Sequence, residues 1–286
     1  MQGLVTKVKI TLEMIKWEHS IFALPFALTA TLLAAHGLPG WRTLLWILVA
    51  MVSARSSAMA FNRWADADID ATNPRTKMRA IPAGLLSRQF VFVFTLFTAA
   101  LFLFATAQLN RLTFLLSPGA LVVLLGYSYL KRFTRWAHLG LGLALGLAPA
   151  GAWIAVRGSL DPRILVLSAV VLLWVADFDV LYACQDFDHD RAEGLYSLPS
   201  RIGIERSFHV ARIMHLLMIA LLILLSRLFH FHVWGELGVV VVAGLIAYEH
   251  MIISPKDLRR LNAAFFTMNG VISMVFLAFV AAEVWL

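Results

Sequence analysis

The sequence is short of charge, of cysteine and of polar linkers. Only 14% of its 286 residues are charged against 60% hydrophobic, with a mean hydropathy of +0.80, and this excludes an ordinary soluble domain. The single cysteine, Cys184, excludes an internal disulfide and is expected to pack in an apolar helix. No low-complexity tract or long linker interrupts the chain, so one transmembrane unit over 1–286 is expected, with 1–18 as an interfacial N-terminal segment. That segment sets Lys7, Lys9 and Lys16 over a comb of Val5, Val8, Leu12 and Ile15. It lacks an unbroken apolar h-region, and no cleavable signal is expected. The histidines show no metal-ligand spacing.

What the chain has in quantity is apolar runs. They lie at 20–37, 42–61, 89–109, 112–130, 136–156, 163–184, 208–229, 233–252 and 263–285. Each is close to the ~20 residues that cross a bilayer as a helix, so the sequence predicts an all-α integral membrane protein with nine transmembrane helices. Charge orients it. The N-terminal segment and alternate loops hold Lys7, Lys9, Lys16; Arg63, Arg75, Lys77, Arg79, Arg88; Lys131, Arg132, Arg135; Arg191, Arg201, Arg206, Arg212; and Lys256, Arg259, Arg260. The opposite loops hold only Arg42, Arg111, Arg157, Arg163 and Arg227. The excess of basic residues predicts a cytoplasmic N-terminus and an external C-terminus. The net charge of +7 is then accounted for by topology and anionic membrane lipid, and no nucleic-acid partner is expected.

Against this background two acidic ladders stand out: Asn62, Asp66, Asp70 in NRWADADID and Tyr182, Asp186, Asp190 in YACQDFDHD. Four-residue spacing puts each set on one helix face. Both ladders end inward-running helices, so both open on the cytoplasmic face. Asp66 and Asp186, like Asp70 and Asp190, are 120 residues apart, and each ladder precedes a loop with Pro and Gly: Pro82 and Gly84, then Pro199 and Gly203. The economical reading is two four-helix halves plus a ninth helix around a central cavity, with a shared site between the halves. Opposed carboxylates suit a hard divalent cation such as Mg²⁺ bridging to substrate phosphates. Arg79, Lys131 and Arg132 stand where they would neutralise a diphosphate, and nine spans imply a long hydrocarbon on the same substrate.

The ordered set of motifs resembles the UbiA family of intramembrane aromatic prenyltransferases. The first family signature falls on Asn62, Asp66 and Asp70, the second on Asp186 and Asp190. The likeness extends through Arg55 seven residues before the Asn, Arg79 with Pro82 and Gly84 in RAIPAG, Tyr127 with Lys131 and Arg132 in YSYLKR, and Asp179 with Tyr182 in DVLYA. Together these cover nearly the whole chain. Two positions depart from the pattern: Arg63 directly follows the first Asn where many members have Asp, and His189 stands where some carry another acid. The stretch FNRWADADIDATNPRT is similar to the 4-hydroxybenzoate branch and its futalosine-type menaquinone-pathway relatives.

The resemblance implies Mg²⁺-assisted ionisation of a polyprenyl diphosphate and attack by an aromatic acceptor on the allylic carbon. It implies metal ligation by Asp66, Asp70, Asp186 and Asp190 with Asn62 as ligand or neighbour. It further implies substrate contacts from Arg55, Arg79, Tyr127, Lys131, Arg132 and Tyr182. Asp179 is a candidate to steer the phenol or take its ring proton, with an ion pair to Arg55 as the rival reading. Glu249 and His250 read as an interfacial pair or as a border of the same cavity. The acceptor is expected to be 4-hydroxybenzoate or a related aromatic acid; dihydroxynaphthoate, homogentisate, haem and chlorophyllide stay open, as does the oligomeric state. A cation-coupled transporter is the rival class, but it would set its acids near the midplane on broken helices.

Overall fold

The computed structural model describes residues 2–17, 20–258 and 261–286, apart from the side chains of 2, 4, 20–23 and 262–267. Arg259 and Arg260, used above for topology, lie outside them. The elements are helical: α1 (Gln2–Ile15), α2 (Ser20–Ala35), α3 (Trp41–Ala65), α4 (Ala67–Thr72), α5 (Arg88–Ala107), α6 (Arg111–Leu130), α7 (Ala137–Arg157), α8 (Ile164–Ala183), α9 (Phe187–Ala192), α10 (Leu198–Ile202), α11 (Ile204–Leu228), α12 (Val233–Ile252) and α13 (Leu261–Trp285).

Eight of these are long and apolar enough to cross a membrane: α3, α5, α6, α7, α8 with its continuation to Ala192, α11, α12 and α13 from Met268. The expected count was nine. The exception is α2, whose described apolar stretch, Leu24–Ala35, is too short to qualify by itself. It is nonetheless interior, with Phe26, Ala27, Ala30 and Ala34 packed in the main core beside Trp174, Ile272 and Phe276. Boundaries differ in two further places. Helix α3 runs four residues past the expected limit, because the apolar run stops before the hydrogen-bonded helix does, and α11 begins at Ile204 rather than 208.

The internal repeat is visible in the backbone. Helices α4 and α9 begin and end 120 residues apart, and α2, α3, α5 and α6 recur at nearly the same offset as α7, α8, α11 and α12, leaving α13 over. The break before each short helix also repeats. Asp66 has φ −94°, ψ 4° and Asp186 has φ −100°, ψ 10°, each at the second rung of its ladder. The stripe survives the first break, because Asp66 N–H still donates to Asn62 O at 2.9 Å and Asp70 N–H to Asp66 O at 2.8 Å.

Helix α7 is drawn tightly onto α8 by Gly142 and Gly146. A Cβ at Gly142 would fall 2.3 Å from Leu172 O, and one at Gly146 would fall 2.7 Å from Ser168 O. Backbone oxygens cannot move aside, so only glycine allows this approach, the small-xxx-small mode of membrane helix packing. The contact fixes α8, which leads into the second ladder, against the N-terminal half of α7.

Candidate active site

A cavity of about 1250 Å³ lies among α1, α2, α3, α5, α6, α7, α8 and the loop after α4. Its walls are mostly apolar and small, with Ala50, Ala54, Ala58, Ala120, Ala144 and Ala148 leaving the space that larger side chains would fill. Arg55, Arg63, Arg75, Arg79, Tyr127, Asp179 and Tyr182 also line it. A predominantly apolar chamber with a few converging polar groups is the usual form of a ligand site, and this one exceeds the ~300–1,000 Å³ common for small molecules.

The ladders meet beside this polar group. Asp66, 2% exposed, accepts from Asn62 Nδ2 at 3.0 Å, Lys131 Nζ at 2.7 Å and Arg132 Nη2 at 3.1 Å. Asp70, 3% exposed, takes both its bonds from Arg79 Nη1, at 2.7 and 2.9 Å. In the second half Asp186 accepts from Asn73 Nδ2 at 2.9 Å and Arg75 Nε at 2.8 Å, and a further Arg75 nitrogen pairs with its other oxygen. Arg75 also donates to the Tyr182 hydroxyl at 3.0 Å and lies over that ring. Asp190 is hydrogen-bonded to Ser197.

Local structure explains how a loop of the first half reaches the second. Asn73 Oδ1 accepts from the Arg75 N–H at 2.9 Å, an Asx turn that leaves the Asn73 amide and the Arg75 guanidinium aimed at Asp186. Burial alone would lower the Arg75 guanidinium, but its bonds and charge interaction with Asp186, with Tyr182 adding, hold it above its ordinary value. The other half reciprocates, since the Tyr196 N–H of the second loop donates to Lys131 O at 2.8 Å.

Two groups deeper in the cavity are fixed differently. Asp179 accepts from His138 Nδ1 at 2.7 Å, and the Leu198 N–H donates to His138 Nε2 at 3.1 Å. The second bond makes Nε2 an acceptor and so puts the proton on Nδ1. The expected rival partner of Asp179 was Arg55; its partner is His138. Among the described residues Arg55 reaches Lys16 O, at 3.4 Å, and its buried Nε has no hydrogen-bond partner there.

Residues 23–271 match the UbiA prenyltransferase family. The chain belongs to that family. It is 31% identical to 4-hydroxybenzoate octaprenyltransferase of Vibrio cholerae serotype O1 over 259 residues, 90% of each chain. It is 30% identical to the enzyme so named in Aliivibrio fischeri, over 89% of each. Among solved structures, the UbiA homologue of Aeropyrum pernix K1, an apo structure, superposes with a TM-score of 0.85 at 30% identity, covering 93% of this chain and 98% of that one. A UbiA homologue of Archaeoglobus fulgidus, bound to DMAPP and Mg²⁺, shares the fold with a TM-score of 0.76 at 20% identity, over 96% and 98%. As a UbiA chain it is an integral, multi-pass membrane protein.

Of the UbiA signature residues named from sequence, Arg55, Arg79, Tyr127, Asp179 and Tyr182 line the cavity, but several have partners that differ from expectation. Arg79, Lys131 and Arg132, read as ligands for phosphate oxygens, are paired with the ladder carboxylates themselves. Arg75 and Asn73 were missed as site residues. Their signal was the Asn-Pro-Arg run directly after the first ladder, which reads as turn chemistry and a topology charge until Asp186 is found opposite. The N-terminal segment is more than interfacial: Ile10, Glu13 and Met14 of α1 and Lys16 just after it line the cavity, and Arg63 Nε reaches Met14 O at 3.5 Å. Cys184 is buried in an apolar cluster, as expected. Glu249 and His250 do not border the cavity.

Proposed function

We propose that the chain transfers a polyprenyl group from a polyprenyl diphosphate to the ring of 4-hydroxybenzoate or a related aromatic acid in quinone biosynthesis. The observation that carries this reading is the convergence of two acidic ladders and four cations beside an apolar cavity of about 1250 Å³. The names of the Vibrio and Aliivibrio relatives support the acceptor class.

The donor set fits Mg²⁺. Asp66, Asp70, Asp186 and Asp190 with the Asn62 amide offer oxygen ligands alone, with no cysteine or imidazole among them, which is the hard-ligand pattern of that ion. Bound there, Mg²⁺ would supply charge neutralisation at the departing diphosphate. Lys131, Arg132, Arg79 and Arg75 bind its non-bridging oxygens, Lys as a point charge and Arg as a fork. Tyr182, held by Arg75, and Tyr127 line the cavity that would receive the prenyl chain. The allylic C–O bond breaks toward the diphosphate, a ring carbon of the acceptor forms the new C–C bond, and the ring proton leaves to Asp179, whose carboxylate His138 holds in place. The apolar walls exclude water from the cation. Arg55, with a free buried Nε, binds the acceptor carboxylate.

In this reading 1–286 is one transmembrane unit in a bacterial inner membrane, with the N-terminus and the ladders cytoplasmic. Helix α2 is the ninth span; its 16 residues give about 24 Å of the ~30 Å hydrocarbon core. The deciding experiment is a panel of aromatic acceptors with one polyprenyl diphosphate and Mg²⁺, read by product mass and diphosphate release. Prenylated 4-hydroxybenzoate is expected. Product only from a naphthoate, homogentisate or a tetrapyrrole would replace the acceptor, and no diphosphate release with any would remove the reading.

A further inference from the structure

A second polar cluster lies on the other side of α8. Asp177 and Asp179 are two residues apart, about 200° around the helix, so when Asp179 faces the cavity Asp177 faces α11 and α12. There it meets His215 of α11 and His250 of α12. His215 Nε2 is 3.2 Å from Asp177 Oδ2, and His215 Nδ1 is 2.7 Å from His250 Nε2. One ligand atom from each of the three residues falls within 4.8 Å of the other two. Asp177 is 1% exposed and His215 2%; Glu249, also 1% exposed, is close enough to act on the Asp177 charge.

The cluster is badly supplied with protein partners. Apart from that 3.2 Å contact, both oxygens of Asp177, Nε2 of His215, Nδ1 of His250 and Oε2 of Glu249 are buried with no hydrogen-bond partner among the described residues. Such groups are costly in the interior of a membrane protein and mark a bound ligand. Protons on both carboxyls would remove their charge but would still leave acceptor atoms without donors. A divalent cation does both: it offsets two carboxylates and occupies the imidazole and carboxylate lone pairs.

We propose that Asp177, His215 and His250, with Glu249 beside them, form a binding site for a transition-metal dication of the Zn²⁺ class, separate from the acidic ladders. Two imidazoles with carboxylate oxygen are a zinc-type donor set, whereas Mg²⁺ prefers oxygen alone. With Zn–N and Zn–O bonds of ~2.0–2.1 Å, tetrahedral ligands stand ~3.3 Å apart, and the Asp177–His215 pair already has that spacing at 3.2 Å. Coordination by His250 would exchange its 2.7 Å contact with His215 Nδ1 for the metal. The site ties α8, α11 and α12 together nearly two turns before the end of α8, and it serves as a structural clamp on the C-terminal half. It does not depend on the prenyl-transfer reading.

The test uses the full chain purified in detergent, stripped with chelator, exposed to Zn²⁺ alone, desalted and assayed for metal by mass spectrometry. About one tightly held Zn²⁺ per chain is expected, both for the native protein and for an Asp66→Asn/Asp186→Asn variant whose ladders are disabled. His215→Gln/His250→Gln is expected to lose at least about tenfold in affinity. Absence of retained metal, loss of it in the ladder variant, or its retention without both histidines would overturn the proposal. Should the histidine variant fail to fold, X-ray absorption at the zinc edge of the native protein decides: imidazole scattering supports the site, and its absence overturns it.

Discussion

Asp66→Asn is expected to change the binding of two ligands of the same mouth in opposite directions. Asp66 is buried and holds Lys131 at 2.7 Å and Arg132 at 3.1 Å, while those two side chains are 31% and 25% exposed. Water therefore screens each pair in part, and each is worth about 1 kcal/mol rather than the ~3 kcal/mol ceiling of a hydrogen bond to a fully buried charge. In the native chain a metal-free diphosphate competes with Asp66 for both cations. Removing the negative charge frees them, and the ~2 kcal/mol released corresponds to roughly 30-fold tighter binding of inorganic pyrophosphate in chelator. In the proposed reading the same change also removes a metal carboxylate, and Mg²⁺-dependent product formation is expected to fall on the order of 10²-fold or more. Titration calorimetry with pyrophosphate in EDTA, followed by turnover with Mg²⁺, prenyl diphosphate and acceptor, measures both. Pyrophosphate binding that is unchanged or weaker in the variant would refute the ion-pair argument, and undiminished turnover would refute the metal role.

Arg55→Ala is expected to raise KM for a carboxylated acceptor by roughly 10- to 100-fold, the value of one charged hydrogen-bonded contact, and to leave a phenol lacking the carboxylate nearly unaffected. Equal losses for both acceptors, in steady-state kinetics, would assign Arg55 to the diphosphate or to structure. Gly142→Ala drives a methyl group into Leu172 O and is expected to destabilise the α7–α8 contact by about 1–3 kcal/mol, visible as earlier thermal loss of the monodisperse peak in detergent.

Much of this molecule was legible in the sequence where the signal is local. Four-residue spacing is a property of one helix, so the ladders Asn62, Asp66, Asp70 and Tyr182, Asp186, Asp190 were visible at once, and the 120-residue offset between them carried the repeat. Apolar run length located the crossing helices. Pairing across helices is not local. Arg75 lies 111 residues from Asp186 and Lys131 lies 65 from Asp66, and nothing in the run of residues says which cation faces which acid. Asp177 is harder still: it has no acidic neighbour at four-residue spacing on its own helix, and the histidines that face it arrive from α11 and α12. Their spacing in sequence excluded a motif, yet the fold assembles one. The run at 20–37 is a related case, since an apolar run reports burial as readily as span length, and α2 is both short and packed in the core.

The pairing of cations with carboxylates alters how the basic excess of the loops is understood. Positive-inside counting treats Arg75, Arg79, Lys131 and Arg132 as orientation signals, and it would be satisfied by lysines anywhere in the same loops. In the fold each of the four is committed to a ladder acid: Arg75 to Asp186, Arg79 to Asp70, Lys131 and Arg132 to Asp66. Carboxylates this buried need a counter-charge at all times, and these side chains supply it without substrate. In the proposed reading, a cation and a diphosphate entering together would take the acids and the basic groups respectively, and the number of compensated charges would be preserved through the exchange. A free diphosphate or a free metal would each strand one set. The arrangement therefore favours the metal–diphosphate pair over either component alone, which is the discrimination that Asp66→Asn is designed to abolish.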